Sequence, residues 1–242
     1  MKTAVISDIH GNMEAFRSVL DDIESMEVHE VVCLGDMIGY GPDPDAVVSG
    51  IIDMKIPTVL GNHENVVVNP ASVRWFNPVA REAVKKTREM ISDKTVAFIK
   101  SLPLFILNEN KRFVHGFPPD SPRKYLFQAT YEDRINYFTK YEETICFVGH
   151  THFLELVRYK NGTVEEQDIV SGAITLEKEC KYIINAGSVG QPRDGDINAK
   201  YVIFDPESRE LCVRFVPYDN EKTASKILKA GMPEQYARRL QQ

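Results

Sequence analysis

The chain begins with Thr3-Ala-Val-Ile-Ser-Asp8-Ile-His10-Gly11, an apolar and β-branched run that ends in an aspartate and a histidine. Residues 2–7 are therefore predicted to form a strand, and a helix is predicted from about Met13, with Asn12 as its cap. A strand at 30–34, a helix at 45–54 and a strand at 57–60 continue the alternation. This order of strands and helices is typical of a largely parallel sheet.

Four later runs end in the same kinds of residue. They are Val31-Val-Cys-Leu-Gly-Asp36, Thr58-Val-Leu-Gly-Asn62-His63-Glu64, Arg112-Phe-Val-His115-Gly116 and Ile145-Cys-Phe-Val-Gly-His150-Thr-His152. Strands that finish at one edge of an open α/β sheet deliver their last residues to one crevice. Two aspartates, one asparagine and five histidines would then share a pocket, which is about the number of ligands that a two-metal hydrolytic centre needs. The pattern therefore predicts an enzyme that hydrolyses phosphate esters.

The individual motifs differ in strength. Taken alone, Asp8 and His10 could form a salt bridge within a loop, and Asp36 could belong to an ordinary turn. The local sequence around His115 does not distinguish a functional histidine from a structural one. Gly149-His150-Thr151-His152 is the strongest motif, because two imidazoles two residues apart can serve neighbouring ions. Five of the six histidines lie at predicted strand ends beside glycine. This joint pattern favours a functional site over scattered structural histidines.

The motif Gly61-Asn62-His63-Glu64 combines two kinds of chemistry. The amide oxygen of Asn62 is a hard ligand that adds no charge. His63 is expected to face outward, where it could donate a proton or hold a phosphoryl oxygen. We therefore interpret His63 as a catalytic residue.

In their order along the chain, these five blocks resemble the signature of the calcineurin-like metallophosphoesterase superfamily. The similarity extends to Asn185-Ala-Gly-Ser-Val-Gly-Gln-Pro-Arg193-Asp194, which resembles a block in small bacterial phosphodiesterases of that superfamily. The resemblance implies an α/β fold in four layers, α/β/β/α, with two mixed β-sheets face to face and helices outside. Residues 153–216 agree with this expectation, since their strands are separated by turns that suggest antiparallel pairing.

The resemblance also implies a set of ligands for two divalent ions, which would be Mn, Fe or Zn. The first ion would take Asp8, His10, Asp36 and His152. The second would take Asp36, Asn62, His115 and His150, so that Asp36 is shared. His63 would lie near the leaving group without binding a metal. The implied mechanism is in-line attack on phosphorus by a hydroxide that bridges the two ions.

One departure from relatives concerns the substrate. Protein serine/threonine phosphatases and symmetrical diadenosine tetraphosphatases of the superfamily carry an arginine shortly after the Gly-Asp motif, whereas Tyr40 stands in that neighbourhood here. Arg193, in a glycine-flanked loop, is a candidate replacement that could bind phosphate through two hydrogen bonds, although it could also be a surface arginine. Tyr40 and Arg193 are therefore the predicted substrate-binding residues. Four aromatic residues could either stack on a nucleobase or serve in packing: Trp75, Phe76, Tyr125 and Phe127.

The composition limits the other possibilities. The 242 residues are expected to form a single domain, with a helical insertion at about 69–101 and a loop and helix at 116–140 as a candidate lid. A formal charge of −6 argues against an extended nucleic-acid-binding surface, and no apolar run is long enough to cross a membrane. The four cysteines are widely separated and predict reduced thiols in a cytoplasmic protein.

These observations predict a metal-dependent phosphodiesterase of small, nucleotide-like phosphoesters. The enzymatic alternatives are a phosphomonoesterase, a dinucleoside-polyphosphate hydrolase or a protein phosphatase. A scaffold that keeps the fold without the chemistry is the alternative from a different class. It is disfavoured because every ligand position of the signature is occupied. The oligomeric state stays open.

Overall fold

The computed structural model describes residues 1–241. The helices are α1 Met13–Glu24, α2 Pro44–Asp53, α3 Asn62–Val68, α4 Pro78–Met90, α5 Asp93–Ser101, α6 Tyr131–Lys140, α7 Asn220–Lys229 and α8 Glu234–Arg239, with 3-10 turns at Pro70–Trp75 and Leu126–Gln128. The strands are β1 Thr3–Ile6, β2 Glu30–Cys33, β3 Phe105–Asn108, β4 Lys111–Val114, β5 Ile145–Val148, β6 Leu154–Lys160, β7 Thr163–Asp168, β8 Gly172–Thr175, β9 Lys181–Ala186, β10 Ala199–Asp205 and β11 Glu210–Val216.

The strands form two mixed sheets. One has the order β2-β1-β10-β11-β8, in which β1 runs parallel to β2 and antiparallel to β10. The other has the order β3-β4-β5-β9-β6-β7, in which β4, β5 and β9 are parallel neighbours. The later part of the chain is mostly antiparallel, as expected, but β9 also pairs in parallel with β5. The strand predicted at 57–60 contributes only an isolated parallel bridge between Cys33 and Thr58.

The alternation of side chains along each strand divides the core into layers. In β1, Val5 packs between the two sheets, whereas Ala4 and Ile6 face the layer that holds α1 and α2. On the far side, Phe138 of α6 packs against the second sheet with Val148 of β5. The order is therefore helices, sheet, sheet, helices, and the predicted four-layer α/β/β/α fold is confirmed.

The helical segment at 69–101 packs against the end of the chain. Ala80 and Ala83 of α4 share one buried cluster with Ile227 of α7, Tyr236 of α8 and Tyr40. This cluster brings the C-terminal helices next to the loop that follows β2. The division into a single domain with a candidate lid stays a prediction. Among residues 1–241, no helix combines the length and the apolar character that a membrane crossing requires.

Candidate metal centre

The predicted ligands and the predicted catalytic residue come together where strands of both sheets end. Asp8 and His10 follow β1, Asp36 follows β2, and His115 follows β4. His150 and His152 follow β5, while Asn62 and His63 open α3. All of them are buried, with Asn62 the most exposed at 9%. The sequence pattern therefore selected residues that converge in space.

Five of these residues adopt left-handed backbone conformations. Their φ angles are 55° for Asp8, 49° for His10, 50° for Asp36, 69° for His150 and 66° for His152. Such angles are uncommon for residues other than glycine, and they concentrate at functional sites. The strain indicates that the loops are shaped to direct side chains into the centre.

Close approach of two loops requires glycine. A Cβ at Gly61 would lie 2.2 Å from Oδ1 of Asp36, and a Cβ at Gly149 would lie 2.0 Å from Oγ of Ser7. Any side chain at either position would push a candidate carboxylate ligand or its neighbour aside. These contacts explain why glycine precedes Asn62 and His150.

The first cluster consists of Asp8, His10 and His152. Oδ1 of Asp8 lies 3.2 Å from Nε2 of His152 and 3.6 Å from Nε2 of His10. The other carboxylate oxygen of Asp8 accepts hydrogen bonds from Oγ of Ser7 at 2.6 Å and from the backbone N–H of His150 at 2.9 Å. One oxygen is thus fixed by the protein, while the other faces the two imidazoles.

The second cluster consists of Asp36, Asn62, His115 and His150. Nε2 of His115 lies 3.0 Å from Oδ1 of Asn62, 3.2 Å from Nδ1 of His150 and 3.4 Å from Oδ2 of Asp36. The Oδ2 atom of Asp36 also lies 3.8 Å from Nε2 of His10. This single oxygen therefore joins the second cluster to the first.

Backbone carbonyls orient the four imidazoles of the two clusters. The nitrogen of each ring that points away from the centre faces a carbonyl oxygen, at 3.0 Å for His10, 2.8 Å for His115, 2.5 Å for His152 and 2.9 Å for His150. The partners are the carbonyls of Ile38, Leu34, Gln191 and Arg123, in the same order. A neutral ring that donates its N–H to a carbonyl presents a lone pair on its other nitrogen.

This orientation fits a bound cation. The Nε2 atoms of His10 and His152 lie 3.1 Å apart, so that two lone pairs would face each other. Oδ1 of Asp8, beside them, is buried without a hydrogen-bond partner among residues 1–241. A cation would attract all three atoms. The donor set contains nitrogen and oxygen without thiolate, which suits Mn, Fe or Zn.

The electrostatics of the second cluster also favour positive charge. Burial lowers the pKa of the His115 imidazole, but the Asp36 carboxylate raises it more, to about 9. Burial raises the pKa of Asp36, but the neighbouring imidazoles, His115 foremost, bring it well below its ordinary value. A carboxylate that stays ionised over the whole neutral range is suited to metal binding.

His63 lies at the centre but does not face outward as expected. Its side chain is buried because the rings of Tyr40 and Phe76 pack edge-on against it, at centroid distances of 4.4 and 4.9 Å. Its backbone N–H donates to Oδ1 of Asp36 at 2.9 Å, and its Nε2 lies 4.0 Å from Oδ2 of Asp36. Burial lowers the pKa of His63 well below its ordinary value, so the ring is neutral. One ring nitrogen of His63 also lies close enough to His10 and Asp36 for the three residues to hold a metal ion together.

The two predicted substrate-binding residues flank the centre. Tyr40 is buried, packs at 4.5 Å from His10 and stacks at 4.4 Å on Tyr236 of α8. Arg193 is partly exposed in the loop after β9. Burial, followed by the positive charge of Arg193, lowers the pKa of His152 to about 4. Arg193 comes two residues after Gln191, whose carbonyl oxygen lies 2.5 Å from Nδ1 of His152. The contacts of both residues with substrate stay predictions.

A cavity of about 490 Å³ opens beside the second cluster. We call it the aromatic cavity, and its lining includes Asn62, Trp75, Phe76, Arg123, Tyr125 and His150. The two segments of the candidate lid, residues 69–101 and 116–140, both contribute to this lining. Trp75 is 62% exposed and lies 4.8 Å from the guanidinium of Arg123, so it is not a core residue. The aromatic side chains are therefore available to a ligand.

Sequence analysis assigned no role to Glu64, which organises the loops of the centre. Its Oε2 accepts hydrogen bonds from the backbone N–H groups of Asp36 at 2.7 Å and Gly61 at 3.1 Å, and its Oε1 accepts from Ile38 at 3.1 Å. The available signal was its position, three residues after the N-cap of a helix, where glutamate often bonds back to the cap. The hydrogen bonds to Asp36 and Ile38 join residues that are distant in the sequence, so no local pattern predicts them.

Buried carboxylates, oriented imidazoles and an adjoining cavity define the class of a metal-dependent hydrolase. Residues 1–209 match the calcineurin-like phosphoesterase superfamily domain. The chain belongs to this superfamily and is a phosphoesterase. The resemblance found in the sequence is thereby confirmed.

Two similar proteins cover nearly the whole chain, and a third covers a shorter part of it. An uncharacterized protein of Methanocaldococcus jannaschii is 38% identical over 243 residues, which cover 98% of this chain and 96% of that protein. The crystal structure of a metallophosphoesterase from Sphaerobacter thermophilus superposes with a TM-score of 0.86 at 32% identity and covers 100% of this chain and 98% of that one. The zinc-dependent endopolyphosphatase of Saccharomyces cerevisiae is 41% identical over 78 residues, which cover 29% of this chain and 24% of that protein.

Proposed function

We propose that the chain is a phosphodiesterase that holds two divalent ions and acts on small, nucleotide-like phosphoesters. The observation that carries this proposal is the position of Oδ2 of Asp36, 3.4 Å from Nε2 of His115 in the second cluster and 3.8 Å from Nε2 of His10 in the first. A carboxylate oxygen between two sets of imidazoles is suited to be shared by two ions. Each cluster would hold one of them, and Asp36 would contribute to both.

The net charge of such a centre suits an anionic substrate. Two divalent ions would bring four positive charges, and the carboxylates of Asp8 and Asp36 would remove two. When bound, the ions would supply Lewis-acid charge to the phosphoryl oxygens and would allow water to ionise near neutral pH. The chain would then bind and orient the ester without a separate carboxylate base.

His63 is proposed to act on the leaving group. Its ring is neutral because burial lowers its pKa, so its N–H can donate a hydrogen bond to the leaving-group oxygen without transferring the proton. Its backbone is fixed by the hydrogen bond to Asp36, and Tyr40 and Phe76 restrict its rotation. These contacts would hold the imidazole at a constant distance from a phosphoryl group bound over Asp36.

The aromatic cavity supports a nucleotide-like substrate. Its volume of about 490 Å³ lies within the range of about 300–1,000 Å³ that small-molecule sites occupy. Phe76, Trp75 and Tyr125 could stack on a planar base, and Arg123 could approach a phosphate. Because Asn62 and His150 belong both to the cavity and to the second cluster, a ligand in the cavity would reach the candidate metal centre.

A second candidate is hydrolysis of a phosphoanhydride, a phosphomonoester or a dinucleoside polyphosphate. The similarity to the yeast endopolyphosphatase favours this alternative over a protein phosphatase. Initial rates with Mn²⁺ on bis(4-nitrophenyl) phosphate and on 4-nitrophenyl phosphate separate the possibilities. A preference for the diester supports the proposal, and a preference for the monoester supports the alternative. If neither ester is hydrolysed with Mn²⁺, Zn²⁺ or Fe²⁺, the result supports the alternative of a non-catalytic scaffold.

A further inference from the structure

A second cavity lies next to the first cluster. We call it the arginine crevice; its volume is about 430 Å³, and it is lined by Pro192, Arg193, Gly195, Asp196, Gln235, Arg238 and Arg239. Gln191 connects the crevice to the centre. Its carbonyl accepts the hydrogen bond of Nδ1 of His152 at 2.5 Å, and its side-chain Oε1 accepts from Nη1 of Arg239 at 3.3 Å. The crevice therefore adjoins the His152 side of the centre, whereas the aromatic cavity adjoins His150.

The acidic groups around the crevice already have cationic partners. Asp196 lies 3.5 Å from the buried ammonium of Lys200, which also binds Asp194 at 2.7 Å. Glu234 accepts hydrogen bonds from Arg238 at 2.8 and 3.0 Å. These pairs leave the positive charges of Arg193 and Arg239 uncompensated.

Arg193 and Arg239 have the properties expected of an anion site. Within residues 1–241, neither guanidinium has a carboxylate within salt-bridge distance, and Nε of Arg193 is buried without a hydrogen-bond partner. Both residues line the same crevice, so their like charges repel each other. Burial lowers the pKa of Arg239, and the positive charge of Arg193 lowers it further. An anion between the two guanidinium groups would relieve this repulsion and could accept hydrogen bonds from both of them.

The position of Arg239 is fixed before any ligand binds. Tyr236, one turn earlier in α8, stacks on Tyr40 at 4.4 Å with an interplanar angle of 29°. Leu240, the next residue, is buried, and its carbonyl accepts a hydrogen bond from Nδ2 of Asn220 at 2.6 Å. A preorganised donor loses little entropy when it binds a ligand.

We propose that the arginine crevice binds a second phosphate group of the substrate, separate from the phosphoryl group that is hydrolysed. This inference rests on the proposed function and narrows its substrate class. The preferred substrate is a phosphoester that carries a further phosphate on one side of the scissile bond. Arg193, in the loop after β9, and Arg239, of α8, would supply the two contacts with this phosphate.

The test compares two chromogenic diesters that differ in one group. Thymidine 5′-(4-nitrophenyl phosphate) lacks a second phosphate, and its 3′-phosphorylated form carries one. With the metal-loaded wild-type protein we expect a lower KM for the phosphorylated ester. Arg239→Gln should raise that KM about tenfold or more, since a hydrogen bond to a charged group is lost, and should change the KM of the unphosphorylated ester less than about twofold. Arg239→Lys should recover part of the difference.

Arg88→Gln is the matched control, because Arg88 of α4 is exposed and lies outside the lining of the crevice. It should leave the ratio of the two KM values unchanged. Equal KM values for both esters in the wild type, or an equal change for both in Arg239→Gln, would overturn the proposal. Thermal unfolding of each variant establishes that it is folded, and Arg193→Gln provides a second variant should Arg239→Gln not fold.

The same reagents separate this proposal from the proposed function. Hydrolysis of neither ester by the wild type contradicts the proposed function. In that case, calorimetric titration with the phosphorylated ester still tests whether the crevice binds the second phosphate. Tighter binding to the wild type than to Arg239→Gln supports the second phosphate site, and equal binding to both overturns it.

Discussion

The ring of Tyr125 lies parallel to the ring of His150, with an interplanar angle of 8° and a centroid distance of 3.7 Å. The same loop supplies the carbonyl of Arg123, which accepts the hydrogen bond from Nε2 of His150. Residues 123–125 therefore fix both the tilt and the rotation of one imidazole of the second cluster. This contact joins the wall of the aromatic cavity to the candidate metal centre.

Removal of this stacking should weaken metal binding by the second cluster. We expect Tyr125→Ala to lower one of the two metal affinities, that of the second cluster, by about tenfold, the lower end of the range for losing a partner that orients a ligand. Tyr125→Phe keeps the stacked ring and should bind as the wild type does. Titration of metal-free protein with Mn²⁺, followed by calorimetry, measures both affinities. Equal affinities in Tyr125→Ala and the wild type would contradict a positioning role for the ring.

Asp36 should be required for both ions. Asp36→Asn removes the charge next to both clusters while keeping the size of the side chain, so we expect less than one ion per chain and loss of activity by at least about 100-fold. Metal analysis of protein dialysed against trace Mn²⁺ gives the stoichiometry. As the control, Asp21→Asn changes an exposed aspartate outside the site. Two ions per chain in Asp36→Asn would refute the shared carboxylate.

His63 should matter for turnover and not for metal content. His63→Ala is expected to keep two ions and to lower kcat by about 100-fold or more, the usual range for losing a hydrogen-bond donor to an oxygen that becomes negative in the transition state. A leaving group of low pKa, such as 4-nitrophenolate, should reduce this loss, because its negative charge needs less stabilisation. Rates on aryl and alkyl diesters, with metal analysis of the same samples, test the assignment. Loss of metal in His63→Ala would instead assign the residue as a ligand.

Glu64 should stabilise the loops even when no metal is bound. A glutamine has one acceptor oxygen, so in Glu64→Gln at least one of the three backbone N–H donors would face an NH₂ group. We expect the free energy of unfolding to fall by about 2 kcal/mol, the cost of an unsatisfied buried donor. Urea unfolding of the metal-free protein measures it, and Glu82→Gln, at an exposed position of α4, is the control. A change below about 0.5 kcal/mol would show that these hydrogen bonds are dispensable.

Asp22 should give the stability a pH dependence outside the site. Its carboxylate accepts hydrogen bonds from Nε and Nη2 of Arg214 at 3.0 and 2.7 Å and from the hydroxyl of Tyr201 at 2.7 Å. The Arg214 hydrogen bonds lower the pKa of Asp22 below its ordinary value despite partial burial. The stabilisation is therefore complete above the unfolded pKa of about 3.9 and is lost as the pH falls through the lower folded value.

Accordingly, Asp22→Asn should lower the free energy of unfolding by about 1–2 kcal/mol at pH 7, and this difference should narrow below about pH 4. Urea unfolding at several pH values measures the difference, with Asp21→Asn as the neighbouring control. A difference that grows towards acid pH would have the wrong sign for a carboxylate with a lowered pKa.

The strands and the positions of the candidate ligands could be predicted because their signals are local. A β-branched run that ends in a small residue and a candidate ligand is visible within a few residues: Asp8 follows Ser7, and Asp36 and His150 each follow a glycine. The orientation of His63 could not be predicted, because the Phe76 ring that covers it belongs to a different segment. The strand at 57–60 is reduced to a bridge because Leu60 bonds to the carbonyl of Pro103, and the chain then turns into α3.

The C-terminal contribution to the site also lacked a local signal. Arg239 lies in a short helix without a motif, and its link to the centre passes through Gln191, which is distant in sequence. The packing of Tyr236 on Tyr40 and the hydrogen bond from Arg239 to Gln191 place α8 beside the candidate centre. Long-range contacts of this kind depend on tertiary packing, which residue spacing does not encode.

The stacking of Tyr236 on Tyr40 has a practical consequence for C-terminal truncation of the protein. A fragment that ends at residue 209, where the superfamily match ends, would lack β11, α7 and α8. It would uncover the Tyr40 ring beside His10. Such a fragment could retain every candidate metal ligand and still lose the wall that shapes the centre. We therefore expect the smallest working unit to extend past residue 209 to at least Leu240.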